Sequence, residues 1–213
     1  MDQQVMKNLA HMQRGITMME VMVSVAIIAI VMAIGIPSLS AWMQNVQVRS
    51  TAESVLTGLQ LARGEAVRQN NLAQFALTGN AAGSTSWSII TASSSVPNSF
   101  TIANGATQIQ TYDAGEGGVN ARLGVSTTAP ASSACCATAI AAGTKMGTTP
   151  KPGVVFNAFG QVVTDSSVTK VYRIDVTNAS YANAKRMVIT ISDSGTAKLC
   201  DPSLPSSNSR GCP

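Results

Sequence analysis

The sequence predicts an α+β fold in which a long N-terminal α-helix, half membrane-spanning and half amphipathic, packs on an antiparallel β-sheet head. Three observations carry this expectation. Residues 21–48 contain no charged side chain. Val48, Ala52, Val55, Leu59, Ala62 and Ala66 then recur at spacings of three and four, the stripe of one helix face. From Leu72 the apolar pattern breaks into short, alternating runs separated by glycine and asparagine turns.

The composition narrows the class. Of 213 residues, 11% are charged and 4% aromatic, against a charged share of about 25% in soluble domains. Mean hydropathy is +0.19, which excludes disorder of the charged, weakly apolar kind. His11 is the one histidine, so metal sites rich in histidine and nucleophile–histidine catalytic pairs lack their parts. The expectation is a protein that is not an enzyme and has no cofactor and no metal. Of the fourteen basic residues in a chain of net charge +4, eight lie from Lys145 onward, facing four acids. This reads as an ordinary solvated surface, with an anionic polymer as the sharper alternative.

The first element is the apolar run. Residues 21–36 (VMVSVAIIAIVMAIGI) have Ser24 as their only hydroxyl. With residues 16–19 and the stretch to Leu39 the run reaches the ~20 residues that span a hydrocarbon core. Lys7 and Arg14 precede it and the next basic residue is Arg49. The positive-inside tendency then puts the N-terminus in the cytoplasm and the bulk of the chain outside. Glu20 lies inside the apolar region, where a carboxylate costs roughly 2.5–3.5 kcal/mol on insertion scales. Pro37 follows Gly35 within the helical pattern, where it removes a hydrogen bond. A secretory signal cut near Ser38-Leu39-Ser40 accounts for the apolar run but not for the long region before it or for Glu20. A plain signal anchor also leaves Glu20 without a role.

A third reading covers all of these features. Arg14-Gly15-Ile16-Thr17-Met18-Met19-Glu20 leading into the apolar run resembles the N-terminal signature of type IV pilins and type II secretion pseudopilins. The resemblance implies cleavage by a prepilin peptidase after Gly15 and N-methylation of the new terminus, Ile16. It implies that Glu20 pairs with the terminal amine of a neighbouring subunit and sets filament register, and that Gly35 and Pro37 mark a helix break. Ile16 departs from the usual Phe or Met, and the two methionines before Glu20 depart as well. The chemistry suits the placement. Gly15 has no side chain to keep a protease from the backbone, and an ammonium and a carboxylate in a low-dielectric medium cost far less paired than alone.

The amphipathic stripe carries the helix to about Asn70, with Arg49, Glu53, Arg63, Glu65 and Arg68 on its other faces. Strands are expected at Ala73–Leu77, Trp87–Thr91, 100–103, 108–112, 119–125, 154–156, 161–163, 171–176, Met187–Ile191 and Ala197–Cys200. The alternation Val171-Tyr172-Arg173-Ile174-Asp175-Val176 reads as a strand with one solvated face. Residues 126–152, rich in Ala, Ser, Thr and Gly with three prolines, read as a flexible loop. The expected organisation is a cytoplasmic leader at 1–15, a transmembrane assembly helix at 16–39, a helical spine at 40–71 and a periplasmic head at 72–213.

Within the head, the order of a long helix, strands, Gly153-Val154-Val155-Phe156-Asn157-Ala158-Phe159-Gly160 and a closing strand pair ending near a cysteine is similar to H-type pseudopilins and FimT/FimU-type minor pilins. That resemblance covers about residues 50–200. Some FimT-type members bind DNA through a Gly-Arg-x-Arg motif in the last hairpin. Here the matching residues are Gly195-Thr196-Ala197-Lys198, which leaves Lys198 as a weak anion contact, since phosphate attraction falls with each lost cation.

The four cysteines lie on the side expected to face an oxidising compartment, which favours disulfides. They allow three pairings. Cys200 and Cys212 enclose eleven residues with Pro202 and Pro205, a closure worth roughly 3 kcal/mol in the chain-entropy model. Cys135 and Cys136 are the second candidate pair. No spacing repeats C-x-x-C, so staples are preferred to a zinc site. The resemblance thus implies a non-enzymatic minor pilin or pseudopilin of a type IV pilus or type II secretion system, held in the bacterial inner membrane and entering a filament. Its expected partners are the prepilin peptidase, other minor and major pilins or pseudopilins, and inner-membrane lipid. DNA uptake at a pilus tip is the alternative.

Overall fold

The computed structural model describes residues 15–79, 83–93, 105–116, 118–129, 135–142 and 151–212. The expected leader up to Arg14 and the expected strand at 100–103 lie outside them. Helix α1 is Met18–Gln69. The chain divides into two compact units, residues 1–40 and 41–213.

In the first unit α1 starts behind Thr17. The Thr17 hydroxyl accepts the Glu20 N–H at 3.2 Å and its carbonyl accepts the Val21 N–H at 3.2 Å. Thr17 is therefore the N-cap, and Glu20 stands at the third helical position, next to the positive end of the helix dipole. The helix continues without interruption through Gly35 and Pro37 in the single chain, whereas the unwinding expected at these residues belongs to the helix packed in a filament. The backbone accommodates a missing N–H at Pro37 within regular helix.

In the second unit α1 buries the predicted stripe. Val48, Ala52, Val55, Leu59, Ala62 and Ala66 are all at most 1% exposed. The helix ends where Asn70 takes a left-handed conformation, φ 48°. The Asn71 N–H then donates to the Ala66 carbonyl at 3.1 Å and the Asn70 N–H to the Val67 carbonyl at 3.3 Å, the two bonds of a Schellman stop. In the last turn, hydrogen bonds from Arg68 and then Gln69 hold the Glu65 carboxyl below the usual carboxylate range. A depressed carboxyl adds stability above its unfolded pKa, and this one loses its contribution as the solution is acidified through the folded value.

The head strands are β1 Ala73–Leu77, β2 Trp87–Thr91, β3 Thr107–Tyr112, β4 Ala121–Ser126, β5 Lys151–Phe156, β6 Val162–Val163, β7 Val168–Lys170, β8 Arg173–Asn178, β9 Met187–Ile191 and β10 Ala197–Cys200. Among the described residues they form two sheets. One runs β3-β2-β1-β5-β6 with β7 also on β5, and the other runs β10-β9-β8-β4. All pairs are antiparallel except β5 with β7, which is parallel with Lys151 opposite Val168. The head is therefore mixed rather than wholly antiparallel. The reason lies at residues 168–176. The expected strand at 171–176 begins only at Arg173, as β8, with the separate strand β7 ending at Lys170, because the Val171 N–H donates to the Gly153 carbonyl of the first sheet while Arg173 already pairs with Ser126 in the second. No glycine or proline marks this change of sheet.

Between α1 and the sheets lie Phe75, Leu77, Trp87, Ile89, Leu123, Phe156 and Ile174, each at most 2% exposed. Trp87 stacks on Tyr112 at 5.4 Å, and its indole N–H donates to the Ser54 hydroxyl of α1 at 3.3 Å. The helix approaches this cluster closely at Gly58, where a Cβ would stand 2.8 Å from the Phe75 ring. Thr51 is fully buried on the same helix and its hydroxyl has no partner among the described residues. Burying such a group costs about 1–3 kcal/mol. Thr51→Val, with similar shape and helix propensity, is expected to stabilise the head by about 1 kcal/mol, a rise of roughly 2–4 °C in Tm. Calorimetry on the full chain checks it.

Candidate functional site

The N-terminal residues are open. Gly15, Ile16 and Thr17 precede the helix and are exposed, Ile16 at 73%. A Cβ at Gly15 would meet nothing within 4 Å, so none of the described residues shields the Gly15–Ile16 bond. The Glu20 carboxylate is exposed one turn away and has no hydrogen-bond partner among the described residues. The bond made at Glu20 uses its backbone N–H, which leaves the side chain available.

Along residues 21–39 the apolar surface is equally uncovered. Val21, Val25, Ile28, Met32, Ile36 and Leu39 along one stripe of α1 are between 49% and 63% exposed, and Met22, Val23, Ile27, Ile30, Val31 and Ile34 on its other faces between 52% and 74%. The segment is long and apolar enough to cross a membrane. Leaving side chains of this kind in water forgoes about 1.5–3 kcal/mol each, so the surface requires lipid, other helices, or both in turn. A Cβ at Gly35 would likewise meet nothing.

The head presents two stapled loops on the second sheet. Cys200 and Cys212 form a disulfide, and so do Cys135 and Cys136. The Cys136, Cys200 and Cys212 sulfurs lie within 4.8 Å of one another and are buried with Val188. Bonded sulfurs are not thiolates, so in this state the cluster is a staple and not a ligand set. The loop closed by Cys200 and Cys212 is ordered by its own backbone. The Asp201 N–H donates to the Arg210 carbonyl at 2.8 Å, and Asp201 Oδ1 accepts the Ser203 N–H at 2.9 Å and its hydroxyl at 2.6 Å.

Arg173 and Asp175 were expected on a solvated strand face. They are 8% and 0% exposed, because residues 135–142 fold over them. Arg173 donates to Asp175 at 2.6 and 2.7 Å, to the Thr138 carbonyl at 2.7 Å and to the Cys135 carbonyl. Arg186 reaches Asp175 at 2.5 Å and the Cys136 carbonyl at 2.6 Å. Asp175 also accepts the Ile140 N–H at 3.0 Å. A segment expected to be flexible is thus clamped by one buried carboxylate and two guanidiniums. The signal available in the sequence was charge placed on β8 and, at Arg186, directly before β9, in a chain that also holds a low-complexity loop.

Lys198 is exposed on β10, at the edge of the second sheet. It is the only Lys or Arg among residues 187–200, which also include Asp193, itself paired with Lys170 at 2.7 Å. This hairpin offers one cation to a phosphate chain, where affinity needs several.

Comparison with known proteins adds the following. The prokaryotic N-terminal methylation motif matches residues 10–36, and the type II transport protein GspH family model matches residues 51–195. No curated protein matches. Two crystal structures of the Pseudomonas aeruginosa type IV minor pilin FimU are similar to the chain. One has 20% identity and a TM-score of 0.45, covering 76% of this chain and 90% of FimU. The other has 21% identity and a TM-score of 0.41, covering 75% and 94%. The GspH match takes in more than half of the sequence, including the buried face of α1 from Ala52 and every strand except β10, and the chain belongs to the GspH family, headed by a membrane-type apolar helix that begins with a methylation motif.

Proposed function

We propose that this chain is a minor pilin or pseudopilin, a non-enzymatic filament subunit of type IV pilus biogenesis or type II protein secretion. The observation that carries the reading is the uncovered apolar surface of residues 21–39 behind an open, capped helix start. Such a surface suits a helix that waits in the inner membrane and then packs among other helices in a filament.

Prepilin peptidase cuts after Gly15 on the cytoplasmic side and Ile16 is N-methylated. The new ammonium and the Glu20 carboxylate are both costly alone in a low dielectric. Glu20 meets the amine of a neighbouring subunit, which sets the register of adjacent helices. Gly35 and Pro37, where one helical hydrogen bond is already missing, give the helix a place to unwind in the filament. The head, rigidified by its two disulfides and the Asp175 clamp, stands in the periplasm and presents its surface to other pilins or pseudopilins.

A deletion strain scored side by side for surface pili and for secreted protein tests this. Loss of pili with secretion intact assigns the chain to the pilus. Loss of secretion with pili intact assigns it to the secretion machine. Both processes proceeding normally in the deletion strain would count against the reading.

A further inference from the structure

We propose that a cleft in the head, beside the middle of α1, binds the phosphate headgroup of an anionic phospholipid. The cleft has a volume of about 370 Å³, within the range of small-molecule sites. Arg49, Lys185 and Arg210 reach it from α1, from the segment before β9 and from the Cys200–Cys212 loop, with Asp201 as the one acid on its wall. The three cations outnumber it. Asp201 directs Oδ1 to Ser203, and Arg49 shares its charge with Glu53 at 2.7 Å. Lys185 and Arg210 form no ion pair with any described residue.

The backbone fixes where these cations stand. The Lys185 N–H donates to the Asn45 side chain of α1 at 2.8 Å. The Arg210 carbonyl accepts from Asp201 and its N–H donates to Asn208 at 3.0 Å, inside the disulfide loop. Apart from Asn45 the rest of the wall is apolar, with Trp42 and Val46 of α1 and Met187 and Leu199 of the second sheet. Trp42 is 63% exposed. A cationic rim beside an aromatic and aliphatic wall matches a phosphodiester with its glycerol and upper acyl carbons.

The source of the phosphate follows from chain length. Trp42 lies three residues after Leu39, the end of the apolar run, so at most about 11 Å of chain separates them. If residues 21–39 span the bilayer, Trp42 is held at the depth where tryptophans concentrate and the cations stand among headgroups on either choice of orientation. This inference rests on the membrane reading above. It adds a defined lipid site that holds the head at the bilayer surface until the subunit leaves for the filament.

The test uses the full chain in nanodiscs of phosphatidylcholine, with and without phosphatidylglycerol. Mass spectrometry follows acylation of Lys185, with exposed Lys151 and Lys198 as references. Phosphatidylglycerol is expected to slow Lys185 about fivefold while changing the references little, and Arg49→Gln with Arg210→Gln should abolish that protection. Equal Lys185 rates in both discs would overturn the site, as would all three lysines slowing together. Equal protection by inorganic phosphate in neutral discs would overturn the assignment to lipid. A chain that does not enter the discs at all would overturn the membrane reading itself, an outcome distinct from one that enters and shows equal rates.

Discussion

Asp175→Ala is expected to cost the head about 3–5 kcal/mol, the range for removing one partner from a buried ion pair. The carboxylate is fully buried and is shared by Arg173, Arg186 and the Ile140 N–H. Without it two guanidiniums of like charge face each other with little water to screen them, and a buried N–H loses its acceptor. For a protein of this size the loss corresponds to a fall of roughly 6–20 °C in Tm. Asp175→Asn keeps an acceptor but not the charge and should fall between wild type and alanine. The effect has a local signature too. Residues 135–142 lose their anchor, so proteolysis in that loop should appear in Asp175→Ala before global unfolding. A change in Tm below about 1 °C, within the range of a neutral surface substitution, would show that the clamp carries no stability.

Glu20→Ala is expected to leave leader cleavage intact and to lower the amount of chain in filaments by at least about tenfold, equivalent to 1.4 kcal/mol. The substitution spares the helix start, since the Thr17 hydroxyl bonds the Glu20 backbone and not its side chain. What disappears is the carboxylate, and with it the partner for a neighbour's terminal ammonium in an apolar medium. Glu20→Gln preserves shape and hydrogen-bonding capacity and should be nearly as defective if charge sets the register. Quantitative mass spectrometry of sheared filaments against the membrane fraction measures the ratio. Normal incorporation of Glu20→Ala would refute the register role.

Much of the fold was legible because it follows from periodicity. The six apolar positions from Val48 to Ala66 form the buried face of α1, and Asn70 ends the helix through a left-handed turn available to asparagine. The edges of β1, β2, β9 and β10 coincide with turn residues. What escaped was decided by contacts distant in sequence. The parallel strand β7 is three residues long and acquires its identity from Lys151-Pro152-Gly153. The burial of Arg173 and Asp175 depends on the loop at 135–142, more than thirty residues earlier, and alternation alone assigns such charges to solvent. For the same reason the cationic cleft was invisible, since Arg49, Lys185 and Arg210 meet only in the folded head. The motif around Gly15 and Glu20 was readable because its chemistry is local.

The most direct test of the account is the intact mass of this chain recovered from sheared pili or pseudopili. The account predicts a chain that begins at Ile16, carries one N-terminal methyl group and is present alongside other pilins. A chain that keeps its first fifteen residues and remains in the membrane fraction while those filaments assemble would contradict it.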